Sequence, residues 1–168
     1  AVAVQAVKES GMRFGDTVAV FGAGPIGLVT IAAAKAAGAT KVIALDLSES
    51  RLEMAKAIGA THVINSGKED PVAAIRKIVP RGTDVTFEVA GVQQTVEQSI
   101  NATKARGMVV IVSIFANPIT WHPMQLINTG VKLTSSIAYS PSSFRETIAL
   151  MGSGQLDVTS IITKRIGL

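Results

Sequence analysis

The run Val20-Phe21-Gly22-Ala23-Gly24-Pro25-Ile26-Gly27 most restricts what this chain can fold into. The β-branched stretch Thr17–Phe21 (TVAVF) precedes it, and the alanine-rich stretch 25–37 (PIGLVTIAAAKAA) follows. Strand, glycine turn and helix are therefore predicted in that order. In such a G-x-G-x-x-G turn, Gly22 lets the chain reverse sharply and Gly24 admits a diphosphate close to bare backbone. Gly27 lets helix and strand meet without a Cβ between them. Pro25 has its φ preset for a first helical turn, where its missing N–H costs nothing. The free N–H groups of that helix end, with about half a positive charge, suit the diphosphate of a dinucleotide. The alternative is an ordinary glycine-rich strand–helix turn.

The same region is uncharged from Thr17 to Ala34, with Lys8 and Arg13 upstream. It superficially resembles a signal peptide or membrane span. Gly22, Gly24, Pro25 and Gly27 cut it in the middle, so it reads as part of a soluble domain.

The strand–helix rhythm continues along the chain. A helix is expected over residues 1–10, stopping at Gly11. Strands are expected at 41–45 (KVIAL), 62–64, 84–89 (DVTFEV) and 108–114 (MVVIVSI). The sixth is expected at 131–139, from Val131 to Tyr139. Helices are expected at 49–58, 71–79, 92–104 and 142–151, with a helical turn at 123–128 and an extended piece at 158–162. Strands that read as continuous Val/Ile runs and alternate with helices indicate a parallel sheet covered on both faces. The expected fold is α/β: a Rossmann-type, doubly wound, six-stranded parallel sheet in order 3-2-1-4-5-6. With 168 residues and no linker or low-complexity segment, residues 1–168 read as one domain.

Asp46 ends the second strand, nineteen positions after Gly27. A carboxylate there suits the two hydroxyls of an adenosine ribose and repels a 2′-phosphate, which favours NAD over NADP. Its other reading is a cap for the helix that follows. Arg51 could reach the same ribose or simply pair with Glu49 or Asp46. His62 reads as structural, and His122 as a loop histidine that could approach a substrate. Asp84 and Glu88 frame the fourth strand, and four strand positions (about 13 Å) separate them too far for paired acid–base work.

Composition narrows the function. There is no cysteine, which excludes a disulfide scaffold, a Cys-based zinc site and a Cys nucleophile. It leaves the redox compartment open, with a cytoplasmic location as the default. The net charge of +4 comes from scattered residues (Lys35, Lys41, Arg51, Lys56, Lys77, Arg106, Lys132), and aromatics are only 4%. That is weak general basicity, not a nucleic-acid surface.

The stretches DTVAVFGAGPIGL, KVIALDLSESRLEMAKAIGAT, GTDVTFEVAG, GMVVIVSIFANPITWHPMQL and KLTSSIAYSPSSF span most of the chain. Together they resemble the cofactor domain of zinc-dependent medium-chain alcohol dehydrogenases, most of all the butanediol, sorbitol and threonine dehydrogenase branch. The resemblance implies diphosphate contacts from Gly22, Gly24, Pro25, Ile26 and Gly27, and ribose contacts from Asp46 and Arg51. It further implies that Val89, Ala90, Ser113, Ile114 and Ile137 line a nicotinamide pocket, and that the sixth strand pairs across a homodimer axis. The implied reaction is hydride transfer between a secondary alcohol and NAD, with zinc held by a separate catalytic domain.

This chain has no Cys and no G-H-E motif, and it stops at ITKRIGL, where the family returns to its catalytic domain. It therefore reads as a cofactor-binding half that binds NAD(H) without turnover and carries no metal ligand or catalytic residue. A stand-alone NAD(H)-sensing module is the alternative. A short-chain reductase is excluded, because Tyr139 is followed four positions later by Ser143 and not by Lys.

Overall fold

The computed structural model describes every residue except Arg165 and Leu168. The six apolar runs become β1 (Thr17–Phe21), β2 (Lys41–Asp46), β3 (His62–Asn65), β4 (Thr83–Glu88), β5 (Thr103–Ile111) and β6 (Lys132–Ser135). All neighbours pair in parallel, in the order β3-β2-β1-β4-β5-β6. The central strands are buried along almost their whole length, as strands covered on both faces must be.

Alternation sends neighbouring side chains to opposite faces. On one face Val18, Val20, Val42, Ala44, Val85 and Phe87 pack with Leu28 and Ile31. On the other, Ala19, Phe21, Ile43 and Leu45 pack with Ala74 and Ile75.

The helices are α1 (Val2–Ser10), α2 (Pro25–Ala36), α3 (Glu49–Ala57), α4 (Pro71–Ile78), α5 (Gln93–Ala102), α6 (Met124–Thr129) and α7 (Pro141–Gly152). Gly11 ends α1 in the left-handed region at φ 63°, and Asp70 caps α4 by accepting the Ala73 N–H at 2.7 Å. The alanines of α2 let it lie close to both α1 and the sheet, with Ala32, Ala33 and Ala34 all buried.

Three boundaries differ from the sequence reading. First, β5 begins at Thr103, not Met108, and ends at Ile111, not Ile114. Its opening residues (Lys104, Ala105, Arg106) carry no apolar pattern. What sets the start is a buried hydroxyl chain: Thr86 Oγ1 lies 2.8 Å from Thr83 Oγ1 and 2.7 Å from Thr103 Oγ1. Second, β6 is shorter than 131–139, so Ile137 lies on the loop beyond it. The left-handed Ala138 (φ 53°) is incompatible with continued strand there. Third, the 158–162 segment is not extended but contains a 3₁₀ turn, Thr159–Ile161, opened by the Asp157 carboxylate accepting the Thr159 N–H. Within ITKRIGL, Arg165 and Leu168 lie outside the described residues.

Candidate functional site

Strand order reverses between β1 and its neighbours β2 and β4, so the loops leaving β1 and β4 diverge to opposite faces. In open α/β sheets, ligands bind in the crevice this creates at the carboxyl ends of the strands. Here the crevice is a cleft of about 370 Å³. Gly22, Gly24, Asp46, Arg51, Val89 and Ala90 all line it, so six of the residues chosen from sequence share one wall-to-wall site.

The three motif glycines serve different physical ends. Gly22 has φ 105°, and a Cβ there would press within 3.2 Å of the Val89 carbonyl carbon. At Gly27 a Cβ would come within 1.9 Å of the Gly22 carbonyl oxygen, so helix and turn touch backbone to backbone. Gly24 differs from both. Its φ of −69° and ψ of −175° suit any L-residue, and apart from its two chain neighbours no described residue lies within 4 Å of a Cβ built there. Neither backbone conformation nor packing among the described residues asks for glycine at 24. Gly24 is also the N-cap of α2, with Pro25 at the first helical position and no side-chain cap among the described residues. The first-turn N–H groups therefore have no side-chain acceptor at the cap among the described residues.

Asp46 lines the cleft from the end of β2. Its Oδ2 accepts the Ala23 N–H at 2.8 Å, and its Oδ1 accepts the Ser48 N–H at 2.9 Å. The carboxylate is thereby aimed by backbone on both sides, and its side chain is only 8% exposed. The bond to Ser48 precedes α3, so the capping reading holds in part: Asp46 steadies the approach to the helix while Ser48 occupies the N-cap. A carboxylate has about four acceptor sites, which leaves two free for hydroxyls. Arg51 Nη1 stands 3.7 Å from Asp46 Oδ2. Glu49 pairs instead with Lys68 at 2.6 Å, and that hydrogen bond, followed by one from Asn65, lowers its pKa.

The other end of the cleft rests on Glu88, the last residue of β4. Its side chain is fully buried, and Oε1 accepts N–H bonds from Ala90 (3.0 Å) and Gly91 (2.9 Å) and a hydroxyl bond from Thr95 (2.7 Å). Ser113 donates its hydroxyl to Oε2. Ser113, predicted as a pocket-lining residue, therefore uses its hydroxyl to tie the loop after β5 to β4. Ile114 and Ile137 lie on the loops after β5 and β6 with 88% and 85% exposure, and neither lines the cleft. Ile26 also turns away, into a second, apolar groove beside Tyr139, Phe144 and Met151. Ser66, Gln94, Thr95 and Gln98 line the cleft without having been singled out. Gln94 and Gln98 are four apart on α5 and so share a face. Their spacing was the available signal.

His62 opens β3 and sits 2.9 Å from the Thr61 hydroxyl, while His122 accepts the Met124 N–H at 3.2 Å before α6; neither lines the cleft. Asp84 lies near the opposite, amino-terminal end of β4, bonded to Lys104 and Thr17. Among the described residues no group of three or more His, Asp or Glu is placed to hold a metal ion, and no helix is long and apolar enough to cross a membrane.

The zinc-binding dehydrogenase family matches residues 25–153. Over 168 residues the chain is 40% identical to the (R,R)-butanediol dehydrogenase of Bacillus subtilis, covering 100% of this chain and 48% of that protein. It is 33% identical to sorbitol dehydrogenase 1 of Saccharomyces cerevisiae, covering 98% and 48%. Among solved structures, 2R,3R-butanediol dehydrogenase from Bacillus subtilis superposes with a TM-score of 0.90 at 38% identity, over 95% of this chain and 46% of that one. A structure from Sinorhizobium meliloti 1021 bound to NADP gives 0.88 at 32% identity, over 94% and 47%. The chain spans about half the length of the relatives it matches.

Proposed function

Since the chain belongs to the zinc-binding dehydrogenase family, we propose that it is the NAD(H)-binding domain of an enzyme moving hydride between a small secondary alcohol or polyol and NAD. The observation that carries this reading is Gly24, a glycine that neither backbone conformation nor packing requires, at an uncapped helix start that opens on the cleft.

In this reading Gly22, Gly24 and the first turn of α2, including Pro25, Ile26 and Gly27, would hold the diphosphate through backbone alone. Asp46 would accept the ribose hydroxyls, with Arg51 at its side. Val89 and Ala90, carried by Glu88, would position the nicotinamide half toward the loops of Ser113, Ile114 and Ile137. When bound, the nicotinamide ring supplies the hydride-accepting carbon. The described residues do not form a zinc site, and in this reading the metal would be held by a companion half of the enzyme.

NAD is favoured over NADP because a 2′-phosphate would meet the Asp46 carboxylate. Two unit charges 4 Å apart interact by about 4 kcal/mol at an effective dielectric of about 20. The outer edge of β6 carries no strand partner among the described residues, which supports pairing with a second copy there.

Titration of the chain with NADH and NADPH, followed by nicotinamide fluorescence or calorimetry, tests the reading. Saturable NADH binding with weaker NADPH binding is expected. Absence of binding would overturn the assignment, and equal affinities would overturn the role of Asp46.

A further inference from the structure

Glu88 is a buried acid that the dinucleotide reading leaves unexplained. It is 0% exposed and forms no ion pair with any described residue. Four donors surround it: the Ala90 and Gly91 N–H groups, the Thr95 hydroxyl and the Ser113 hydroxyl. Every partner of Oε1 can donate, so this oxygen acts purely as an acceptor. Hydrogen bonds of this kind can hold a buried charge in place, but they leave its field without a countercharge.

That field lies directly under the cleft. Glu88 is paired in register with Phe21, and Phe21, Val89, Ala90 and Thr95 all line the cleft wall. The carboxylate also joins the loop after β4 to the loop after β5, where Gly91 packs so closely that a Cβ would meet the Ile114 carbonyl oxygen at 2.8 Å. The acid thus sits between the diphosphate turn and the strand ends assigned to the nicotinamide half. Of the two redox forms of that ring, only the oxidised one is a cation.

We propose that Glu88 is a positioning residue whose buried carboxylate, with no ion-pair partner among the described residues, biases the cleft toward the oxidised, cationic nicotinamide ring relative to the reduced, neutral one. The proposal rests on the NAD(H)-binding reading above. It goes further in assigning the balance between the two redox forms to one side chain that does not itself line the cleft.

Glu88→Gln separates charge from architecture. The amide oxygen can accept the two backbone N–H bonds now made to Oε1, the Thr95 hydroxyl keeps the Val92 carbonyl as an acceptor, and the amide nitrogen can donate to Ser113, so the loops keep their anchor while the charge goes. Dissociation constants for NAD+, NADH and ADP-ribose are measured by calorimetry on the unsubstituted chain and on the variant. Expected is a loss of NAD+ affinity of roughly tenfold with NADH and ADP-ribose held within about twofold. Equal loss for all three ligands assigns Glu88 a purely structural role and overturns the proposal, as does an unchanged NAD+/NADH ratio.

Failure of the unsubstituted chain to bind any of the three overturns the cofactor reading and this proposal with it. A ratio unchanged by the variant overturns the proposal alone. Should the variant not fold, the NAD+/NADH ratio of the unsubstituted chain is measured at low and high salt. A sealed charge is poorly screened, so the ratio should hold. A ratio that collapses with salt assigns the discrimination to exposed charges and overturns the proposal.

Discussion

The carboxylate of Asp46, at the end of β2, accepts the backbone N–H of Ala23, in the middle of the glycine turn, at 2.8 Å. One side chain therefore both lines the cleft and steadies the glycine turn, which in the proposed function would meet the ribose and the diphosphate. Asp46→Ala should then do two things in NADH and NADPH titrations. It should erase most of the preference for NADH and weaken NADH itself by roughly tenfold, since a hydrogen bond to a charged group is worth about 1.5–3 kcal/mol. Asp46→Asn should keep one acceptor and lose less NADH affinity. A substitution that left both affinities untouched would remove Asp46 from the site.

Gly24→Ala and Gly27→Ala should part company. At 24 the backbone accepts a Cβ and open space receives it, so thermal unfolding should shift by no more than about 1 kcal/mol equivalent while NADH binding falls sharply. At 27 the new Cβ would stand 1.9 Å from the Gly22 carbonyl oxygen, and overpacking of this kind costs about 1–3 kcal/mol or more. Parallel melts and titrations of the two variants check the contrast.

Asp84 should give the fold part of its acid sensitivity. Burial raises its pKa, but the hydrogen bonds from Lys104 and Thr17 outweigh that, and the net shift is downward. A carboxylate with a lowered pKa in the folded state adds stability that is fully present above its unfolded pKa. That stability is lost as pH falls through the folded value. Denaturant melts from neutral pH down through the carboxylate range should show a steeper loss for the unsubstituted chain than for Asp84→Asn. Because the pair is partly exposed, the difference should stay near or below about 1 kcal/mol.

Pairing through β6 predicts concentration-dependent association. Sedimentation of the chain should show a dimer, and a charged or proline substitution at Thr134, in the middle of β6, should shift it toward monomer. A monomer at all accessible concentrations would remove this part of the reading.

Much of the architecture was legible because it is written in local chemistry. Val/Ile runs, the glycine turn and Asp46 at a strand end mark the strands and point to the doubly wound fold, whose known strand order and crevice then follow. The parts that were not legible depend on pairings between distant residues. The start of β5 is set by Thr83, Thr86 and Thr103 sharing hydroxyl bonds in the interior, and no periodicity announces that. A left-handed alanine at 138 bars β6 from running on to Tyr139, and that residue type gives no warning of positive φ. Glu88 could be placed near a carboxyl strand end from sequence, but its four donors come from positions 90, 91, 95 and 113 and meet only in three dimensions.

The contrast between Gly24 and Gly27 has an evolutionary corollary. A lineage selected only to stay folded would hold the second glycine and let the first wander through small residues. Variation at 24 among descendants would then act as a clock for how long each had lived without a ligand at the turn, while invariance at 27 would say nothing about ligand at all.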